Sequence, residues 1–161
     1  MENPALTEDW HATQAARINL LLTGIPRVNV MLIGMDGVIE RVLATLRPDL
    51  HEPIATWRGG ERLVLPPVEW RGTMILHDVG RLAHEDQRRL LKWLECIEGR
   101  TQVVSTTPES LLQRVETGRF IDSLYYRLNT ICVDGTSVKE ASGTTGRNVQ
   151  PRAGNNRKSR S

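Results

Sequence analysis

A chain of 161 residues with 39% apolar and 25% charged residues has enough material for one ordinary domain with its own core. It has no apolar run of about 18 residues, which excludes a membrane-spanning helix, and its opening MENPALTEDWHA lacks the basic-then-apolar layout of a secretory signal; a soluble cytoplasmic protein is the expectation. The net charge of +2 is uneven: from Lys139 onward six Lys/Arg stand against one acidic residue, a net of +5, so residues 1–138 carry −3.

Residues 1–13 read as a flexible lead-in, and a helical pattern runs from about Trp10 to Leu22, with Ala15, Ile18, Leu21 and Leu22 near 3.6-residue spacing. Gly24 and Pro26 stop it. Val28, Val30, Met31, Leu32 and Ile33 then form a near-continuous apolar run, the mark of a strand covered on both faces. Gly34 and Gly37 supply a permissive backbone for a sharp turn, and Val38, Val42, Leu43 and Leu46 predict a helix that Pro48 ends. Strand, glycine turn and helix is the layout of a phosphate-binding P-loop.

Two short strands are expected at Ile54–Trp57 and Arg62–Leu65, separated by Gly59-Gly60. Thr73–Leu76 is a second apolar strand ending at His77-Asp78. A strong amphipathic helix follows over about His84–Ile97, with Leu90, Leu91, Leu94 and Ile97 inward and Gln87, Arg88, Lys92 and Glu95 outward. Thr101–Ser105 is a third strand. Pro108 suits the first turn of a helix reaching about Glu116, and Ile121–Leu128 is a further helix with Leu124, Tyr125 and Leu128 inward. Thr130–Val133 is the last strand. Strands alternating with helices predict an α/β domain over residues 14–134 with a mainly parallel sheet. Cys96 and Cys132 lack metal-ligand spacing and read as buried, reduced thiols. Residues 135–161 hold almost no apolar residue, cannot offset their ordering entropy, and are expected to be a disordered basic tail. Weak, salt-sensitive contact with nucleic acid through its six basic residues is the only partner its composition suggests.

Two stretches carry a specific resemblance. Gly72–Glu95, GTMILHDVGRLAHEDQRRLLKWLE, is similar to the Walker B segment of sigma-54-dependent transcriptional activators, where a GTLFLDEIGEL-like run precedes a helix ending in LLRVLQ. Gly118–Asn129, GRFIDSLYYRLN, resembles that family's GRFREDLYYRLN signature. The resemblance covers about residues 14–134 and implies a AAA+ ATPase fold, a three-layer α/β P-loop domain that assembles into rings. In full-length members such a domain uses ATP hydrolysis to remodel sigma-54 RNA polymerase.

The chemistry departs from that pattern. A P-loop needs a second glycine, a Lys on the β/γ-phosphates and a Ser/Thr on Mg²⁺. Counting from Gly34, these positions hold Ile39, Glu40 and Arg41. Two unit charges about 4 Å apart interact by roughly 4 kcal/mol at an effective dielectric of about 20, so exchanging the Lys cation for Glu40 removes most nucleotide affinity. Glu40 and Arg41 also read simply as a solvated helix start. Where the resemblance places the Walker B Asp-Glu pair, the chain has His77-Asp78, and an imidazole suits Mg²⁺ poorly. The sensor position holds Thr107, and Ile121 stands where the resemblance places the signature's first arginine, an arginine-finger candidate, while the second, finger-type Arg127, remains. About 35 residues separate Gly37 from Gly72, without the family's GAFTGA loop, and the basic tail stands where a helical lid domain would follow. The expectation is therefore a degenerate AAA+ domain with vestigial Walker A residues Gly34, Gly37, Glu40 and Arg41, vestigial Walker B residues His77 and Asp78, no metal, and no cofactor beyond weak ATP with Mg²⁺. It would act in transcription by associating with a sigma-54 activator or the sigma-54 polymerase. The competing reading is a weak ATP binder or residual ATPase in the same process.

Overall fold

The structure is a computed structural model and describes residues 27–136. The helix expected over Trp10–Leu22, the lead-in and the basic tail beyond Thr136 lie outside the described residues. Five strands, β1 (Val30–Ile33), β2 (Ile54–Arg58), β3 (Thr73–His77), β4 (Gln102–Thr107) and β5 (Ile131–Asp134), form one sheet in the order β2-β3-β4-β1-β5. Every pairing is parallel. The helices are α1 (Asp36–Leu46), α2 (His84–Cys96), α3 (Leu112–Glu116) and α4 (Asp122–Leu128). The expected three-layer α/β arrangement is present.

Alternation along the strands divides the core in two. Val30, Leu32, Ile75 and Val104 meet Val42, Leu43 and Leu46 of α1 on one face. Met31, Ile33, Leu76 and Val103 meet Leu90 and Leu94 of α2 and Leu124, Tyr125 and Leu128 of α4 on the other. Connections between parallel strands are right-handed, which fixes the face each helix takes. Only β1 to β2 steps leftward along the strand order, so among the described helices α1 stands alone on its face. A sheet of five strands is about 20 Å across and a helix about 10 Å, so α1 covers roughly half of it.

Several local expectations are corrected. Arg62–Leu65 is not a strand: residues 60–71 fold irregularly over the α2 face, where Leu63 is buried and Pro66 O accepts a hydrogen bond from Trp93 Nε1 at 2.7 Å. The helix after Pro108 starts only at Leu112, because Thr107 Oγ1 donates to Glu109 O at 2.8 Å and closes a turn first. Strand β4 runs two residues further than Ser105. On α1, Ile39 rather than Val38 is fully buried. On α2, Leu91 is half-buried, Trp93 joins the core, and Gln87, expected outward, is 1% exposed. Cys96 and Cys132 are both exposed, since Cys96 lies on the outer side of α2 and Cys132 on edge strand β5.

Candidate functional site

In an open parallel sheet ligands gather at the carboxyl ends of the strands. There β1 ends at Ile33, and α1 begins at Asp36. Only Gly34 and Met35 lie between. Gly34 N–H donates to Thr107 O at 3.0 Å, which pins the turn to β4. Met35 caps α1 through its backbone alone: its carbonyl accepts from Val38 N–H at 2.9 Å and Ile39 N–H at 3.0 Å. The positions counted from Gly34 as glycine, lysine and hydroxyl therefore lie inside the helix. Ile39 is 5% exposed and packs into the core, while Glu40 and Arg41 face solvent. A phosphate cradle needs a loop whose backbone N–H groups point inward and remain unbonded. From Val38 onward these groups are bonded within α1.

The other half of the site is the end of β3. His77 is half-buried and lies on the α1 side of the sheet, with Glu40 and Arg58 lining the same hollow. Burial, then the Arg58 guanidinium, hold its imidazole below the ordinary value of 6.5, against the opposing pull of Glu40 and Asp36. Asp78 adopts the left-handed conformation at φ 54° and ψ 59°, and its N–H donates to Thr106 Oγ1 at 3.1 Å. Among the described residues its carboxylate has no hydrogen-bond partner. Thr107 is buried, with its hydroxyl turned onto its own loop at Glu109. Asp36, Glu40, Asp78 and Asp134 thus share one end of the sheet with the Arg58 guanidinium, and the acidic groups there oppose a polyphosphate. Among the described residues no cluster of His, Cys, Asp and Glu is arranged to hold a metal ion.

Arg127 is elsewhere. It belongs to the last turn of α4 and pairs with Glu95 of α2 at 3.6 Å. Together with Asn29, Thr101 and Thr130, which precede β1, β4 and β5, it lines a groove of about 470 Å³. The structure therefore brings Gly34, Gly37, Glu40, His77 and Asp78 to one end of the sheet and holds Arg127 at the other. Two residues escaped sequence reasoning. Arg58 shares the β2 face of Ile54 and Thr56, a placement that period-two alternation carried one residue further would have given. Gln87 donates to Leu82 O at 3.0 Å and Arg119 O at 3.1 Å and accepts from Ile121 N–H at 2.9 Å. Helical periodicity alone gave no signal for that buried amide.

The profile of the sigma-54 interaction domain matches residues 15–137. Over 86 residues the chain is 27% identical to a signal-transduction and transcriptional-control protein of Clostridium beijerinckii, covering 47% of this chain and 14% of that protein. Over 69 residues it is 39% identical to the acetoin catabolism regulatory protein of Cupriavidus necator, covering 36% and 10%. The chain thus spans about a seventh or less of the length of these relatives. Among solved structures it resembles NtrX from Brucella abortus in complex with ATP, at TM-score 0.58 and 17% identity over 83% of this chain and 38% of that one. It also resembles the P-loop NTPase domain of the sigma-54 transport activator from E. coli, at TM-score 0.53 and 17% identity over 78% and 94%. At such identities the likeness is one of fold: a parallel sheet in a P-loop arrangement. No helix among the described residues is long and apolar enough to cross a membrane.

Proposed function

Since this chain belongs to the sigma-54 interaction domain family, we propose that it acts in transcription regulation by protein–protein association and does not hydrolyse ATP. The observation that carries this reading is the two-residue connection between β1 and α1. With α1 occupying the span of a phosphate loop, the triphosphate has neither a cradle of amides nor a lysine. Asp36 and Glu40 oppose its charge as well. The surface proposed for association surrounds Arg119–Arg127, where Tyr126 is 66% exposed beside the Arg127–Glu95 pair. The partner would be a AAA+ sigma-54 activator or the sigma-54 polymerase.

Titrating the purified chain with a fluorescent ATP analogue and Mg²⁺ tests the reading. No saturable binding is expected below about 100 μM, an affinity of roughly −5.5 kcal/mol. Tighter binding would overturn it. The competing reading, a residual ATPase in the same process, has Asp78 in its favour, a carboxylate at the end of β3 available to polarise a water.

A further inference from the structure

Beside α1, over the part of its sheet face that the described residues leave uncovered, lies a trough of about 230 Å³. Its floor is apolar, made by Leu43, Leu50, Ile54 and Ile75. Its rim carries two cations, Arg58 from the end of β2 and Arg47 from the far end of α1, together with the His77 imidazole from the end of β3. Among the described residues Glu40 is the one acidic residue that lines it. Among the described residues neither Arg47 nor Arg58 has an ion pair, although a guanidinium offers five donors. Exposed Ala44 and Thr56, both small, keep the trough open from the side.

We propose that this trough binds a small monocarboxylic acid with a branched or aromatic body, its carboxylate on Arg58 and its body over Ile54, Ile75 and Leu43. A planar guanidinium fork matches a carboxylate in two parallel hydrogen bonds. The apolar floor rewards a hydrocarbon body, which inorganic phosphate lacks. Glu40 disfavours a second negative charge on the ligand. The volume lies below the roughly 300 Å³ at which drug-sized pockets begin, which limits the body to a single small ring or branch. Near neutral pH His77 is uncharged and offers one N–H donor to the head group. None of this rests on whether the chain binds nucleotide.

Benzoate is the probe. Titrated into the ¹⁵N-labelled full chain, it should give saturable amide shifts centred on Ala44, Thr56 and Arg58, with Kd below about 5 mM. Benzyl alcohol and inorganic phosphate should each bind about tenfold more weakly, the first lacking the charge and the second the body. Arg58→Gln should weaken benzoate about tenfold. Ala44→Leu, at an exposed helix position, should fill the trough and abolish binding without lowering Tm. Absent saturation, shifts centred elsewhere, or parity of benzoate with either control would overturn the proposal, and so would Ala44→Leu that folds and still binds.

Discussion

Gly72 has no room for a side chain. A Cβ there would stand 2.2 Å from Pro53 O and 2.7 Å from the Trp70 ring, and the first of these is backbone that cannot step aside. Gly72→Ala is expected to lower stability by about 2 kcal/mol or more, read as a shift in the urea midpoint. His77 makes a second prediction at this scale. Burial and Arg58 depress its proton affinity in the folded chain, so the unfolded chain takes up the proton near pH 6.5 and the folded chain only at lower pH. Stability held at pH 7 is therefore lost as the pH falls below 6.5 toward the folded value. His77→Gln should flatten that part of the stability profile. The identities at Gly34, Glu40 and His77 were legible in the chain, because motif positions are counted along it. The environment of His77 was not, since Arg58 reaches it from a neighbouring strand through the β2–β3 pairing.

Among the elements, α2 and the segment entering α4 are joined by one amide. Gln87→Leu would leave Leu82 O, Arg119 O and the Ile121 N–H without their partner. A loss of about 3 kcal/mol is expected by chemical denaturation, and Gln87→Glu should not restore it because the donor is gone. The stretch most like the family signature, Gly118–Asn129, is the one that Gln87 grips and that delivers Phe120, Leu124 and Leu128 to the core. Its apolar spacing predicted the three inward residues of α4 correctly. One neighbouring error has a clear cause: Arg62–Leu65 follows a Gly-Gly turn signal as a strand would, but among the described residues it pairs with no strand and instead sends Leu63 into the core on the α2 face. Strand pairing depends on distant partners that local pattern does not name. For α1, the prediction is that Glu40→Lys alone leaves the chain unable to bind the ATP analogue below about 100 μM. The lysine would project from the second turn of a formed helix, with no loop beneath it.

For the molecule as a whole, the strand order sets where the fold is firmest. Among the described residues, central β3, β4 and β1 each pair with a strand on either side, whereas β2 and β5 are edges with one neighbour each. Amide hydrogen exchange should be slowest in Met74–Leu76, Val103–Ser105 and Met31–Leu32, and faster in β2 and β5. Equal protection in β2 would mean that another segment covers that edge. Overall class and the five observed strands were legible, β1 and β3 from their apolar runs, while the sixth expected strand at Arg62–Leu65 did not form. The one-sided placement of α1 was not, because it follows from the order in which strands pair.

On the proposal that the chain holds no nucleotide, the burial of Ile39 makes a phosphate loop hard to rebuild. Rebuilding the loop without lengthening the chain would require unwinding the first turn of α1 and drawing Ile39 out of the core, where it packs among the residues facing Val30 and Leu32. Substituting glycine there would remove a buried side chain and weaken the helix together. Point changes at Ile39, Glu40 and Arg41 therefore lead through less stable intermediates before any phosphate is held. Only an insertion after Gly34 avoids that descent, so a lineage that had filled this turn with core would be separated from ATP chemistry by a change of length rather than of letters.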